Sequence, residues 1–209
     1  MENLLKLQTY NKETDSFLVH VQKTLNESKV ELNLSLTDYV MFDNVKSNGC
    51  FLSGTPALSI SVGKPIEKWL PVLVHEYSHF TQWKESAKVW MDLATGEENY
   101  IWEWIEGKSY PLDYIKTLIK KVRDMELDCE KRTVENIKKF NLPINYRLYV
   151  RASNAYICFY SYMLLKRKWY HIGREPYTNT KILLKMSNKF DMNYDKLDNE
   201  LVKLYKECC

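Results

Sequence analysis

The segment 66–83 constrains the fold more than any other part of the chain. Its sequence, IEKWLPVLVHEYSHFTQW, is apolar over most of a helical circumference, which is typical of a helix buried on nearly all sides. Pro65 precedes it, and proline is well suited to the first turn of a helix. The same segment carries His75, Glu76 and His79. Polar groups buried without partners cost on the order of several kcal/mol, so these side chains need compensation inside the core.

These residues form the pattern HExxH. Residues four apart lie on the same face of a helix, so the imidazoles of His75 and His79 can reach one metal ion. Glu76 lies about 100° further around the helix. From there its carboxylate can take a proton from a metal-bound water, whose pKa the metal lowers. The pattern predicts a Zn²⁺ site with Glu76 as general base. The alternative is two core histidines satisfied by ordinary hydrogen bonds.

Catalytic zinc usually has three protein ligands and one open position. The extended motif HExxHxxGxxH is absent, because Gln82 and Glu85 stand where it requires glycine and a third histidine. The other histidines, His20 and His171, lie far away along the chain. We therefore expect a carboxylate as the third ligand.

The predicted helix 112–140 offers that carboxylate. At about 100° per residue, one apolar stripe gathers within about 60° of Val122 and comprises Ile115, Leu118, Ile119, Met125, Cys129, Thr133 and Ile137. Glu126 falls inside this stripe and Glu130 on its border. We predict Glu126 as the third ligand in preference to Glu130. Glu130 is then placed to accept a hydrogen bond from a ligand histidine. The alternative is a buried ion pair of Glu126 with Arg123 or Arg151.

If the metal-bound water attacks a peptide carbonyl, the reaction also needs a donor for the oxyanion of the tetrahedral intermediate. Tyr156 and Tyr160 share one face of the predicted helix 145–168, and His171 follows that helix. All three are candidates, with simple packing as the alternative for each.

The rest of the chain predicts an α+β fold. Segment 13–28 has the spacing of an amphipathic helix, and short β-forming runs between 30 and 62 predict a small, mostly antiparallel sheet. Further helices are predicted at 65–85, 96–106, 112–140, 145–168, 178–187 and 194–207. We expect a single domain over 1–209, with a helix and sheet in 1–64 and a helical body carrying the active site in 65–209.

Composition excludes some classes of function. The 30 basic and 27 acidic residues leave a net charge of +3, too balanced to indicate nucleic-acid binding. There is neither a secretory leader nor an apolar run of about 18 residues, so membrane insertion is not expected. The five cysteines are odd in number and widely spaced, which fits a reducing compartment. We expect a cytoplasmic protein.

HEYSH, followed by Glu126-x-x-x-Glu130, resembles the gluzincin metallopeptidases, in which a glutamate on a later helix completes the zinc site. That resemblance implies a zincin-like body and peptide hydrolysis. It also implies that Glu130, a glutamate where an aspartate is usual, supports a ligand histidine. In gluzincins an edge strand pairs with the substrate backbone, and segment 57–62 is similarly placed. The alternative is that 57–62 is an ordinary internal strand.

The strings VLVHEYSHFTQW, MELDCEKRTV and RASNAYICFYSY resemble uncharacterised metallopeptidase-like proteins of large tailed bacteriophages. This resemblance implies a host-cytoplasmic location and no particular substrate. The function we expect is a zinc-dependent peptidase acting on a peptide or protein. The alternatives are a zinc-bearing module that binds a protein partner without cutting it, and a metal-dependent hydrolase of another substrate.

Overall fold

The structure is a computed structural model that describes Leu4, Leu7, residues 11–42 and residues 45–209. The chain divides into two compact units. The first comprises Met1–Ala87 and Arg132–Ile144, and the second comprises Lys88–Lys131 and Asn145–Cys209. The HExxH helix thus belongs with the sheet rather than with the later helices. That the whole chain is a single domain stays a prediction.

The first unit contains α1 (Lys12–Glu27), β1 (Glu31–Ser35), β2 (Val40–Phe42), β3 (Val45–Ser47), β4 (Gly49–Leu52), β5 (Ala57–Ser61) and α2 (Ile66–Lys84). The predicted amphipathic helix is confirmed as α1. Its N-terminus is capped by Asn11, whose side chain accepts a hydrogen bond from the backbone N–H of Thr14. Its buried face includes Phe17, Val21 and Leu25 at helical spacing.

The strands form two small sheets. One has the order β1-β5-β4, with β1 parallel and β4 antiparallel to β5, and the other is the antiparallel pair β2-β3. The parallel pair departs from the mostly antiparallel sheet that was predicted. Parallel neighbours need a long connection between them. Here three strands lie between β1 and β5 in sequence, which returns the chain in the same direction.

The strand β5 is the central strand of its sheet. Ala57, Leu58, Ile60 and Ser61 are all buried, as expected for a strand covered on both faces. Both of its edges are hydrogen-bonded, one to β1 and the other to β4. The prediction that segment 57–62 binds substrate by strand addition is therefore wrong, because no edge remains for another backbone. The internal-strand alternative is confirmed, and β4 lies at the edge instead.

The second unit contains α3 (Lys88–Met91), α4 (Asn99–Ile105), most of α5 (Leu112–Lys139), α6 (Tyr146–Lys166), α7 (Thr180–Leu183) and α8 (Asn199–Cys208). The final turns of α5 belong to the first unit. The predicted helix 178–187 is only the short α7, preceded by a 3-10 turn at Pro176–Thr178. The predicted helix 194–207 begins later, at Asn199, because the side chain of Asp198 caps it there.

The core of the second unit is formed by α5, α6 and α8. Its buried members include Ile115, Leu118, Ile119, Val122, Ala155, Cys158, Phe159, Met163, Leu201 and Tyr205. The rings of Phe159 and Tyr205 meet edge to face with centroids 5.4 Å apart. The Tyr205 hydroxyl donates to the backbone carbonyl of Ala155 at 2.8 Å. Aromatic packing and a satisfied buried hydroxyl therefore join α8 to α6.

Eight helices, a mixed three-stranded sheet and an antiparallel two-stranded sheet confirm the α+β class for the part of the chain that the structure describes. Within that same part, every helix is too short or too polar to cross a membrane.

Candidate metal centre

The helix α2 carries the HExxH residues in a buried setting. Its apolar side chains Trp69, Leu70, Leu73, Val74 and Phe80 are buried, as the sequence predicted. Ile66, Val72 and Trp83 are half-buried, so one side of the helix is less enclosed than predicted. The motif residues differ in the same way, because His79 is buried whereas His75 and Glu76 are half-buried.

The structure brings His75 and His79 together on one face of α2. Their ring centroids are 4.7 Å apart and the ring planes are almost perpendicular, at 88°. Two imidazoles in this arrangement can present one nitrogen each to a shared point. The predicted pairing of the two histidines is therefore present in the geometry of the helix itself.

A hydrogen bond determines which nitrogen His79 can present. Its Nδ1 lies 2.9 Å from Oε1 of Gln82, whose side chain is completely buried. An amide oxygen only accepts hydrogen bonds, so Nδ1 carries the proton and donates. The remaining nitrogen, Nε2, then has its lone pair available for a metal. Sequence reasoning treated Gln82 only as a missing glycine, although its spacing of three residues from His79 already placed both on one face.

The side chain of Glu76 lies over the edge strand β4. A Cβ atom built on Gly49 would come within 3.1 Å of Cγ of Glu76 and 2.9 Å of Cγ1 of Val72. Burial raises the pKa of the Cys50 thiol, and the Glu76 carboxylate raises it further. The side chain of the proposed general base thus lies so close to Gly49 of β4 that a side chain at position 49 would crowd it. In the sequence, Asn48-Gly49 has the composition of a turn, and nothing there connects Gly49 with Glu76.

The predicted acidic residues of α5 differ in burial from the helical-wheel prediction. Glu130, placed on the border of the stripe, is only 6% exposed, whereas Glu126, placed inside the stripe, is half-buried. The hydroxyl of Ser153 on α6 donates to Oε2 of Glu130 at 2.7 Å. The buried face of α5 is wider than the apolar stripe because α6 covers its border with a matching polar group.

The two candidate tyrosines lie close to Glu126 within the second unit. The hydroxyl oxygens of Tyr156 and Tyr160 are 2.9 Å apart. Burial raises the pKa of each phenol well above its usual value, and the charge of Glu126 raises both further. Both hydroxyls therefore stay protonated and able to donate. His171 is exposed, and its backbone N–H is bonded to the carbonyl of Cys209 at 3.4 Å.

Arg123, one of the partners considered for Glu126, is occupied elsewhere. It is buried, and its guanidinium pairs with Asp124 at 2.9 Å and with Asp195 at 2.8 Å. It also donates to the backbone carbonyl of Tyr194. The bonds to Asp195 and Tyr194 hold the segment before α8 against α5.

Cys129 is a further possible metal ligand. It is completely buried on α5, three residues after Glu126. Imidazole nitrogen and thiolate sulfur are both ordinary zinc ligands. Sequence reasoning counted Cys129 only as a member of the apolar stripe, because a buried cysteine has the same pattern as a small apolar residue.

Comparisons with protein-family models, with curated proteins and with solved structures found no match to this chain. The gluzincin resemblance, the bacteriophage resemblance and the zincin-like fold therefore stay predictions.

Proposed function

We propose that this protein is a zinc-dependent peptidase, with His75 and His79 as two ligands and Glu126 of α5 as the third. The observation that carries the proposal is the pair of imidazoles on one face of α2. The Nδ1–H of His79 donates to the side chain of Gln82, which leaves Nε2 as the unprotonated nitrogen. A donor set of two imidazoles completed by a carboxylate or a thiolate suits Zn²⁺ better than Mg²⁺ or Ca²⁺, which prefer oxygen ligands.

The side chains around the pair then have distinct roles. A zinc ion bound there would supply Lewis-acid chemistry, activating water and polarising the scissile carbonyl. Glu76 would take the proton of the attacking water and deliver it to the leaving amine. Tyr156 and Tyr160 are our candidates for the oxyanion donor, because their phenols stay protonated. His171 remains a further candidate.

The proposal includes a class of substrate and a cellular location. The HEYSH motif with a later glutamate supports a gluzincin-like peptidase with a zincin-like body, acting on a peptide or protein. The longer strings support a relationship to bacteriophage proteins and hence a cytoplasmic setting in the host. The net charge of +3 supports neither a nucleic-acid nor a membrane partner.

The substitution Glu76→Gln tests the proposal. It keeps the size of the side chain and removes only its ability to accept a proton. We expect the variant to bind one zinc per chain, as the wild type does, and to lose at least about 100-fold in cleavage of an unfolded protein substrate. Zinc content by atomic emission and cleavage by mass spectrometry measure the two effects. A wild-type protein that binds no zinc, or a variant that cuts as fast as the wild type, would contradict the proposal.

The thiol of Cys129, three residues after Glu126 on α5, favours one alternative function. Structural zinc sites are closed by four protein ligands, whereas catalytic sites keep one position open. Should Cys129 and Glu126 both join His75 and His79, no position would remain for water, and the protein would be a zinc-bearing module that binds a partner. Zinc-bound wild type that cuts no peptide would support this alternative. Cleavage of ester substrates alone would instead indicate a hydrolase of another class.

A further inference from the structure

The side chain of Gln82 has a position that packing alone does not explain. It is completely buried near the end of α2, three residues after His79. Its amide oxygen lies 2.9 Å from Nδ1 of His79, and its backbone carbonyl accepts the N–H of Ala87 at 2.9 Å. The second bond ties the backbone of Gln82, in the last turn of α2, to Ala87 just beyond the helix end. The residue is thus fixed at its main chain and directed at the histidine through its side chain.

We propose that Gln82 is a positioning residue that sets the tautomer and the ring orientation of His79. The inference rests on the proposed metal site, whose second histidine it orients. A neutral imidazole carries one proton on either nitrogen, and an acceptor at Nδ1 selects the tautomer with that nitrogen protonated. The unprotonated Nε2 then carries the lone pair that a metal ligand needs. An acceptor held in this way is a common support for histidine ligands.

The chemical nature of the acceptor has a further consequence. A carboxylate in the same place would draw the Nδ1 proton more strongly and make the imidazole a stronger electron donor. The neutral amide of Gln82 orients the ring without that effect. A zinc ion bound by His79 therefore keeps more of its Lewis acidity than it would with a glutamate at position 82. The role that we propose for Gln82 is therefore to orient the ring of His79, and not to increase the electron donation of the ring to the metal.

Two substitutions test the proposal, with zinc itself as the probe. Gln82→Leu removes the acceptor, and we expect zinc affinity to fall by about 10- to 100-fold. Gln82→Glu keeps an acceptor at this position, and we expect this variant to bind zinc at least as tightly as the wild type. Competition with a chromophoric chelator at neutral pH measures both affinities. Gln82→Met, whose unbranched side chain has only a weakly accepting sulfur, serves as a second variant if the leucine variant does not fold.

Thr133→Val is the matched control. The hydroxyl of Thr133 donates to Oγ of Ser78 at 3.0 Å, so the control also removes a buried side-chain hydrogen bond to α2 but keeps the amide of Gln82 as the acceptor for His79. We expect it to lose stability while keeping the zinc affinity of the wild type. An equal loss of zinc affinity in Gln82→Leu and Thr133→Val would overturn the proposal, because a general loosening of α2 would then explain both.

The tautomer can be measured without any metal. Long-range ¹⁵N NMR of metal-free protein should show His79 protonated at Nδ1 in the wild type and in Gln82→Glu. Gln82→Leu should shift the ring towards the Nε2-protonated form. An unchanged tautomer in Gln82→Leu would overturn the role of Gln82. Failure of the wild type to bind zinc would instead overturn the proposed metal site, while the NMR result would still decide whether Gln82 orients His79.

Discussion

At the scale of single residues, Gly49 shows how a missing side chain can matter to a site. Asn48 and Gly49 have the composition of a turn, but Gly49 is the first residue of β4 and lies beneath α2. A Cβ atom there would be 2.7 Å from Cδ1 of Ile60, closer than real Cβ contacts come. Space for the Glu76 side chain therefore depends on the absence of a methyl group at position 49.

Gly49→Ala should destabilise the protein and displace Glu76. Overpacking of a core by a single methyl typically costs about 1–3 kcal/mol. We expect that loss in the free energy of unfolding measured with urea, together with slower peptide cleavage at unchanged zinc content. Gly54→Ala is the control, since no atom lies within 4 Å of its added Cβ, and it should stay within about 0.5 kcal/mol of the wild type. Equal stability of the two variants would contradict the close contact at Gly49.

At the scale of elements, helix boundaries depend on caps more than on apolar spacing. The apolar pattern suggested a last helix starting at 194, yet α8 starts at Asn199. Asp198 has an extended backbone, and its carboxylate accepts the N–H of Leu201 at 2.7 Å. Upstream, the backbone carbonyl of Tyr194 accepts hydrogen bonds from Arg123 and Ser161. These contacts hold the preceding segment outside the helix.

Asp198→Ala should shorten or loosen α8. Loss of an N-cap side chain costs about 1 kcal/mol, which in a protein of this size lowers Tm by about 2–4 °C. Asp198→Asn keeps an acceptor of the same shape and should retain most of the stability. Thermal unfolding followed by circular dichroism compares the three proteins. A Tm for Asp198→Ala equal to that of the wild type would show that the cap does not hold the end of α8.

At the scale of the whole molecule, α5 is the helix whose residues belong to both compact units. Along one continuous helix it presents Glu126 and Glu130 in the second unit and Thr133 in the first. Ligands supplied by α2 and α5 would therefore make zinc binding a property of the folded chain as a whole. A ligand that binds only the native state stabilises it by mass action.

Zinc should raise the Tm of the wild type. At a free concentration 100 times the Kd the gain is about 2.7 kcal/mol, or about 5–10 °C for a chain of this length. We expect Glu126→Ala to lose most of this zinc-dependent rise and Glu130→Ala to keep most of it. Differential scanning calorimetry with and without zinc measures the difference. A full rise in Glu126→Ala combined with its loss in Cys129→Ser would replace Glu126 by Cys129 as the third ligand.

The sequence by itself determined the α+β class, the helices α2 and α5, and the position of His75 and His79 on one face of α2. These features depend on local spacing, because the helical repeat brings residues four apart onto one face whatever surrounds them. The buried stripe of α5 was predicted for the same reason. Its members are buried except for Met125 and Glu126, which are half-buried.

Only the tertiary structure decided which groups meet across elements. It placed β5 at the centre of its sheet, Gly49 beneath Glu76, and Ser153 against Glu130. Each of these depends on pairing between segments distant in sequence, and periodicity within one segment does not specify its partner. For Gln82, one part of the proposed role follows from the sequence and the other part from the structure. Its spacing from His79 was visible in the sequence, but only the folded helix end shows that its buried amide oxygen accepts the Nδ1 proton.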